Sequence, residues 1–462
     1  MIAVVFTLAL AFVPATDAAN WPMYLHDVTH TSKASSSSIT PQNVGTLVQA
    51  WRWQPEAPTM SGQPAASLDA SPTVFNGRIY IGANTGVFYA LNETTGQVVW
   101  KRMLDYVTAK TCSSKGITST AAVVPDPVSG ALTVYVAGAR NLYALDPSTG
   151  AIRWQTRIGP AGSATANDYY NWSSPTVVGG RIFIGISSQC DDPLVRGGLI
   201  SLDQHTGAVL HTYWTVPAGA IGGSIWSSAA AASNGARVWV STGNEDPNGT
   251  PAGDSISVVR LDAATLQKKE RWTVSGAFGA DLDFGSSPTL FSASLGGVTT
   301  PLVGACNKNG RYYALKAYDF SGGPVWSLRV GASASSSSCI TSAAWDVAAK
   351  RLYVAANSTT LGGVSFAGSI RALNPATGAV VWERGLPCPV LGSPSASNTG
   401  LVAMSTYCGN GITNHAYVVN TASGVIAKTL TLPSNAFPQP VFVDNYLLVG
   451  TRSGGLFGYR PS

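Results

Sequence analysis

One short pattern recurs along almost the whole chain. It is clearest in residues 143–154, which read YALDPSTGAIRW, and related copies end at Trp100, Trp214, Trp272, Trp326 and Trp382. A decayed copy carries Leu430 where the others carry tryptophan, and a last fragment stands at the end of the sequence. The tryptophans are 54–60 residues apart. A period of this length predicts a repeat architecture in which each unit packs on its neighbours.

Each copy of the pattern predicts a β-hairpin. The residues from Tyr143 to Asp146 alternate as in a half-buried strand, and alternation resumes after Gly150. Asp146 can accept hydrogen bonds from the backbone of the turn, and Gly150 can adopt the positive φ that the turn needs. Trp154 is large enough to fill the gap between two sheets and can donate a hydrogen bond through its indole N–H. Because a lone hairpin is barely stable in water, we expect packed sheets.

The pattern AxDxxTGxxxW resembles the repeat of the quinoprotein (PQQ) β-propeller family, in which each blade is a four-stranded antiparallel sheet. The resemblance covers nearly all of residues 19–462, and the polyvinyl-alcohol-dehydrogenase-like branch is the nearest. It implies an all-β fold. Seven hairpin copies and a closing blade predict eight blades.

The segment Leu47–Trp53 alternates like a strand but lies ahead of the first blade. We expect it to form the outer strand of the last blade, so that the N-terminal part of the chain closes the ring. Closure of this kind hides the free sheet edges that invite aggregation.

Residues 1–18 predict a secretion signal that is cleaved after Ala18. Their apolar run is too short for a comfortable membrane span, and Thr16 and Ala18 are small residues at the cleavage positions. This segment has no Lys or Arg, so an uncleaved anchor or a misassigned start is the alternative. We expect residues 19–462 to form a single propeller domain that is secreted or periplasmic.

Composition excludes several classes of function. Only 11% of the residues are charged and 49 are glycine, as in an all-β protein with many tight turns. The net charge of +5 comes without a Lys/Arg run, which argues against nucleic acid binding or a polybasic membrane patch. The sequence has no nucleophile elbow, phosphate-binding loop or dinucleotide fingerprint. It also has no Cys-x-x-Cys-His, so we expect no c-type haem, and no Cys/His spacing that suggests zinc.

Six cysteines in an exported chain suggest disulfides, although many pairings are open. We favour Cys388 with Cys408, because both fall within one blade. The other expected pairs are Cys306–Cys339 and Cys112–Cys190.

Inserts between blades carry the candidate metal ligands. The resemblance implies an acidic calcium ligand four residues before an Arg-Gly pair, which is Asp192 before Arg196. The family usually has Glu there, and Asp reaches less far. Arg196 itself is a candidate cofactor-binding residue. Asn244, in a Thr-Gly-Asn, and Asp283 would complete the hard oxygen ligands that calcium prefers.

The same resemblance assigns the other site residues. Trp226 would form the floor beneath the quinone ring, and Lys308 would hydrogen-bond the quinone oxygens and stabilise its reduced, anionic form. Asp283 is the first candidate for the general base and Asp281 the second. Each residue also has an ordinary alternative. Trp226 could simply pack, Asp281 and Asp283 could be solvated loop acids, and Lys308 could be a loop charge. If the site exists, these residues must converge at one mouth of the central channel.

Two departures from the family pattern stand against this hypothesis. The family's adjacent cysteines over the cofactor are absent, since only Cys112 is present in its segment. An acidic residue near the start of the first blade is also missing where Ala70 stands. We therefore keep two functions open. One is an exported dehydrogenase that oxidises a small or polymeric alcohol with PQQ and Ca²⁺, without haem, and passes electrons to an external acceptor. The other is a non-catalytic scaffold that binds protein or carbohydrate.

Overall fold

The computed structural model describes residues 19–108, 112–160, 169–248, 252–276, 281–332, 338–409 and 411–462. The predicted signal, residues 1–18, lies outside the described residues. The described ranges contain 33 β-strands and one short 3-10 helix, Val44–Thr46. Within those ranges, no helix is long and apolar enough to cross a membrane.

The strands form eight antiparallel sheets, which are the blades. Blade 1 is β2 (Thr73–Phe75), β3 (Arg78–Gly82), β4 (Val87–Asn92) and β5 (Val98–Met103). Blade 2 is β6 (Ala122–Pro125), β7 (Leu132–Ala137), β8 (Asn141–Leu145) and β9 (Ile152–Arg157). Blade 3 is β11 (Thr176–Val178), β12 (Arg181–Ser188), β13 (Gly198–Asp203) and β14 (Val209–Trp214), and β10 (Tyr169–Tyr170) also pairs with β12. Blade 4 is β15 (Ala230–Ala231), β16 (Arg237–Ser241), β17 (Ser257–Asp262) and β18 (Lys268–Thr273).

The second half of the ring repeats this arrangement. Blade 5 is β19 (Thr289–Leu295), β20 (Val298–Asn307), β21 (Arg311–Lys316) and β22 (Asp319–Arg329). Blade 6 is β23 (Ala344–Asp346), β24 (Arg351–Leu361), β25 (Val364–Leu373) and β26 (Val380–Leu386). Blade 7 is β27 (Ser395–Ala396), β28 (Leu401–Ser405), β29 (Asn414–Asn420) and β30 (Ile426–Leu432). Blade 8 is β31 (Val441–Val443), β32 (Tyr446–Thr451), β33 (Gly455–Pro461) and β1 (Leu47–Trp53).

The N-terminal strand closes the ring as predicted. Strand β1 is the outermost strand of blade 8 and pairs with β33, with Leu47 opposite Pro461 and Trp53 opposite Leu456. The eight-bladed, all-β fold expected from the repeat is thereby confirmed.

In several repeats the tryptophan docks on the turn of the next blade. The indole N–H of Trp100 donates to the carbonyl of Pro147 at 2.9 Å. A Cβ on Gly150 would lie 2.5 Å from Cε3 of Trp100, and Gly150 has φ +69°. The repeat therefore needs glycine at this turn both for its positive φ and for the approach of the indole ring. The same ring–glycine contact recurs at Trp51–Gly96, Trp154–Gly207, Trp326–Gly378 and Trp382–Gly424.

A belt of hydrogen bonds around the channel joins the inner strands of successive blades. At the start of an inner strand, a backbone N–H donates to the Ser or Thr hydroxyl at the same place in the next blade. The distances are 2.9–3.0 Å, and the donor–acceptor pairs are Ser71–Thr120, Thr120–Ser174, Ser174–Ser228, Ser228–Ser287, Ser287–Ser342, Ser342–Ser393 and Gln439–Ser71. The Ser-Pro-Thr openings of the sequence thus place their serines on the axis.

Residues 19–46, called here the N-terminal strap, cross one end of the channel. The strap makes backbone hydrogen bonds to seven blades through Val74, Val123, Ala231, Leu290, Trp345, Ala396 and Asp444. Tyr24 of the strap is half-buried, and desolvation raises the pKa of its hydroxyl although serine side chains hydrogen-bond to it. The strap therefore covers the channel at this end.

The three predicted disulfides are the ones that form: Cys112–Cys190, Cys306–Cys339 and Cys388–Cys408. Cys190, Cys306 and Cys408 each lie at or just beyond the end of the second strand of a blade. The three bridges therefore tie down loops on one face of the ring.

Candidate active site

The topology explains how residues distant in sequence can meet. Strands in a blade alternate in direction, so the loop after the second strand and the connection after the outer strand emerge on the same face. The candidate residues all lie in these two kinds of segment, after β12, β16 and β20 or in the connections before β15 and β19: Asp192, Arg196, Asn244, Lys308, Trp226, Asp281 and Asp283.

Asp283 is the buried centre of the cluster. Its residue is only 2% exposed, and its Oδ2 accepts a 2.8 Å hydrogen bond from the indole N–H of Trp226. Its Oδ1 lies 2.6 Å from Nζ of Lys308. Burial raises the pKa of the Asp283 carboxyl, and the charge of Lys308 with the two hydrogen bonds offsets only part of the rise. The pair thus holds a carboxylate with a raised proton affinity in a desolvated position.

Lys308 links the two acids of the connection before β19. Its Nζ also lies 2.6 Å from Oδ1 of Asp281, which is exposed. Burial lowers the pKa of Lys308, but the carboxylates of Asp283 and Asp281 outweigh burial, so the net shift is upward. The ammonium stands 5.1 Å from the centre of the Trp226 ring, within reach of a cation–π contact. Lys308 is therefore charged and fixed by three side chains.

Asn244 joins the cluster through its amide. Its Nδ2 donates to Oδ1 of Asp281 at 2.9 Å and to Oδ2 of Asp191 at 3.2 Å. Its Oδ1 is buried and has no hydrogen-bond partner among the described residues. An amide oxygen left in this state is available to a cation or to another donor.

The structure places the other two candidates differently. Asp192 is exposed, and it is the neighbouring Asp191 whose carboxylate contacts Asn244. The Arg196 guanidinium lies 4.5 Å from the ring centre of Trp214, and its Nε donates to the carbonyl of Val216 at 3.0 Å. Arg196 thus packs on the outer strand of blade 3.

A second buried acid was missed in the sequence. Asp69 stands one residue before Ala70, at the place where the first blade seemed to lack an acid. Its carboxylate lies 2.9 Å from both Nζ of Lys115 and Nε of Arg452, and it accepts a 2.8 Å hydrogen bond from Asn84. Burial raises the pKa of Asp69, but the two cations outweigh it and the net shift is downward. A search for an acid up to two residues before the Ser-Pro would have found Asp69.

Two groups of paired charges lie beside one cavity on the axis. One is Asp69 with Lys115 and Arg452, and the other is Asp283 with Lys308. Asp69, Trp172, Trp226 and Tyr24 all line the cavity. Lys115 lies 5.5 Å from the ring centre of Trp172, much as Lys308 lies 5.1 Å from the ring centre of Trp226. The cavity therefore offers aromatic surface, which suits a planar molecule, and the cations that pair with Asp69 and Asp283 stand behind its wall.

Two family comparisons cover the chain. Residues 21–329 match the family described as glucose/ethanol/alcohol dehydrogenase, beta-propeller domain. Residues 313–462 match the family described as outer membrane protein assembly factor BamB. All the candidate residues discussed above except Arg452 lie within the first match.

Individual relatives are similar at low identity. A polyvinylalcohol dehydrogenase from Pseudomonas sp is 26% identical over 303 residues, which are 57% of this chain and 45% of the relative. A quinohemoprotein alcohol dehydrogenase from Comamonas testosteroni is 25% identical over 341 residues, which are 64% of this chain and 44% of the relative. The chain thus spans slightly less than half the length of these relatives. The solved structure of a quinohemoprotein alcohol dehydrogenase from Pseudomonas putida superimposes with a TM-score of 0.77 at 16% identity, over 96% of this chain and 80% of that one.

Proposed function

Because this chain belongs to the glucose/ethanol/alcohol dehydrogenase β-propeller family, we propose that it is an exported dehydrogenase. It oxidises a small or polymeric alcohol with PQQ and a divalent cation such as calcium, and passes the electrons to an external acceptor. The observation that carries this proposal is the buried carboxylate of Asp283, held between the indole N–H of Trp226 and the ammonium of Lys308. Three disulfides support export, because such bonds persist in oxidising compartments.

The donor set suits a hard cation. Asn244 has a buried amide oxygen without a partner among the described residues, beside the carboxylates of Asp281 and Asp191. Calcium prefers such oxygens. In the described ranges, no group of three or more His, Cys, Asp or Glu side chains is arranged to hold a metal. A cation at this place would therefore be held by the amide oxygen of Asn244 together with the neighbouring carboxylates.

The aromatic wall of the cavity supports the quinone part of the proposal. PQQ is planar, so Trp226 in the cavity wall would supply an apolar face. PQQ also carries carboxylates, and Lys115 and Arg452, which pair with the lining residue Asp69, would supply positive charge nearby. When bound, the quinone supplies the two-electron acceptor and the cation supplies Lewis-acid polarisation.

The chain's own residues handle the proton of the alcohol. Asp283 is placed to accept it, because burial raises the pKa of this carboxyl towards the pH at which a general base works best. The charge and hydrogen bond of Lys308 limit that rise. The indole N–H of Trp226 fixes Oδ2 and leaves the carboxylate in one orientation. Asp281 is the second candidate, and it differs from Asp283 in being exposed while also pairing with Lys308.

The match of residues 313–462 to the BamB family favours the scaffold as the alternative function. The two functions differ in whether the cavity takes up a quinone. We would incubate the purified protein with PQQ and Ca²⁺, remove free cofactor, and record the absorbance spectrum. A retained quinone chromophore and quinone-dependent oxidation of an alcohol support the dehydrogenase. Absence of both supports the scaffold.

A further inference from the structure

One position in the wall of the channel is a glycine where every other blade has a side chain. The residue two places before each residue of the hydrogen-bonded belt forms the adjoining layer of the wall, and all eight of these residues line the cavity. Seven of them carry side chains that range from threonine to tryptophan in size. The eighth is Gly285, which precedes the first strand of blade 5. Blade 4 has Trp226 at the same place, so the gap in the layer lies next to this tryptophan.

Neighbouring side chains fill the space beside Gly285. A Cβ on Gly285 would lie 2.7 Å from Cη2 of Trp226, 2.7 Å from Cγ2 of Ile340 and 2.8 Å from Cβ of Ile340. Contacts this short force atoms to move, so an alanine would displace the rigid indole ring or the Ile340 side chain close to its backbone. The φ of Gly285 lies outside the positive range, so the backbone conformation itself does not require glycine. It is the space that Trp226 and Ile340 occupy that requires it.

Trp226 uses this space to reach the next blade. Its indole N–H donates to Oδ2 of Asp283 at 2.8 Å, and Asp283 stands two residues before Gly285. The far edge of the same ring lies where a side chain of Gly285 would be. Lys308, also of blade 5, lies 5.1 Å from the ring centre. The indole of blade 4 is therefore held against blade 5 by its nitrogen, its far edge and its face.

Trp172 shows the arrangement that results when the neighbouring position is filled. It stands at the same place in blade 3, and its neighbour in blade 4 is Trp226 instead of a glycine. The indole N–H of Trp172 donates to the carbonyls of Ser188 and Gln189, at 3.2 and 3.0 Å, at the end of the second strand of its own blade. Two tryptophans at equivalent positions thus direct their N–H groups to different blades, and they differ in the residue beside them.

We infer that Gly285 is a positioning residue for the proposed reaction, because the space it leaves lets the Trp226 ring cross to blade 5 and hold the Asp283 carboxylate in one orientation. This inference rests on the proposed function, since it treats Asp283 as the proton acceptor. A hydrogen bond to the ionised form of a carboxyl favours that form. Displacement of the ring would therefore leave a carboxylate that is less fixed and harder to ionise.

The first test needs neither cofactor nor substrate. In protein labelled with ¹⁵N at the indole nitrogens, the N–H signals of Trp226 and Trp172 are identified by their loss in Trp226→Phe and Trp172→Phe. Gly285→Ala should shift the Trp226 signal, because the hydrogen bond to Asp283 is lost, and should leave the Trp172 signal in place. An unmoved Trp226 signal would overturn the inference.

The matched control for crowding is Gly385→Ala on the outer strand of blade 6. A Cβ on Gly385 would meet the ring of Phe366 at 2.4 Å, and the φ of Gly385 also lies outside the positive range. This variant should therefore lose stability through the same kind of contact while moving neither indole signal. A Trp226 signal that shifts equally in both variants would show a general effect of destabilisation and would overturn the inference.

The second test is a double-mutant cycle of unfolding free energies, measured by urea denaturation. Gly285→Ala should cost less in the Trp226→Phe background than in the wild type, because phenylalanine has no atom that reaches as far as Cη2. A Gly285→Ala chain that folds only together with Trp226→Phe supports the same conclusion. Equal losses, or failure to fold in both backgrounds, would assign the steric demand to Ile340 alone and overturn the inference.

The third test uses the enzyme loaded with PQQ and Ca²⁺. Gly285→Ala should lower kcat by about 10–100-fold, as expected for the loss of a hydrogen bond to a charged group, and should move the acidic limb of kcat/KM to higher pH. Gly385→Ala should do neither. If the wild type oxidises no alcohol, the proposed function fails, and the first two tests still decide whether Gly285 positions Trp226. An active wild type with an unshifted limb in Gly285→Ala would overturn the positioning role alone.

Discussion

The ammonium of Lys308 lies 2.6 Å from the carboxylate of Asp283, and both side chains are almost wholly removed from water. The two groups are supplied by different segments, since Lys308 follows the second strand of blade 5 and Asp283 precedes its first strand. The chain also links them by a backbone hydrogen bond of 3.0 Å from the N–H of Lys308 to the carbonyl of Asp283. The proposed proton acceptor and its counter-charge are thus positioned as one unit.

Asp283→Asn should abolish most of the quinone-dependent oxidation. The amide keeps the size of the side chain but cannot accept the proton of the alcohol, so we expect kcat to fall by about 10²–10⁴-fold. The melting temperature should change little, because Lys308 retains Asp281 as a partner. Steady-state kinetics of Asp281→Asn is the matched comparison and should show the smaller loss. The reverse order of the two variants would identify Asp281 as the base.

Lys308→Gln should move the acidic limb of the pH profile of kcat/KM to higher pH. Lys308 opposes the upward pKa shift of Asp283, so its removal leaves the carboxyl harder to ionise. Asp283 has a raised pKa in the fold, so its contribution to stability is present at low pH and is lost as the pH rises through the folded value. The variant should therefore also lose stability more steeply with rising pH. Lys101→Gln, at an exposed pair with Glu56, is the control. An acidic limb that stays at the same pH in Lys308→Gln would contradict the pairing of Lys308 with Asp283.

Gly150→Ala should destabilise the fold more than Gly130→Ala. Both glycines have φ +69°, but a Cβ on Gly150 would meet the Trp100 ring at 2.5 Å, whereas a Cβ on Gly130 has nothing within 4 Å. The strain of placing alanine at a positive φ is therefore the same at both positions. The difference between the two losses of unfolding free energy measures the contact with Trp100. We expect an extra loss of about 1–3 kcal/mol in the free energy of unfolding. Urea denaturation measures both values, and equal losses would mean that the docking site adapts freely.

Lys115→Gln should weaken binding of PQQ. The ammonium lies beside Asp69 and over Trp172, and its loss removes one charge-assisted partner for an anionic ligand. We expect the Kd to rise about tenfold, or ~1.4 kcal/mol. Arg452 still pairs with Asp69, so the fold should hold. Tryptophan fluorescence titrated with PQQ and Ca²⁺ gives the Kd, and Lys101→Gln should leave it unchanged. An unaltered Kd in Lys115→Gln would place the quinone elsewhere.

The sequence alone determined the architecture. Eight blades and their closure were predicted from the spacing of the tryptophans, the Thr-Gly turns and the strand-like alternation of Leu47–Trp53. These features can be recognised in the sequence because strands and tight turns recur at a fixed period. In a strand the buried and exposed side chains alternate, and in the turn glycine is required because φ is positive and a tryptophan ring approaches. The Cys388–Cys408 disulfide also followed from the sequence, since both cysteines fall within one blade, and the other two expected pairs formed as well.

Only the tertiary structure decided which side chains meet in the loops. It placed Asp191 rather than Asp192 against Asn244, turned Arg196 onto Trp214, and buried Asp69 between two cations. It also placed the carboxylate of Asp444 against the backbone N–H of Ala19. Irregular segments have no period that fixes where a side chain points, so its direction depends on contacts with residues far away in the chain. Burial and counter-charge are properties of the closed ring, and no local stretch of sequence contains them.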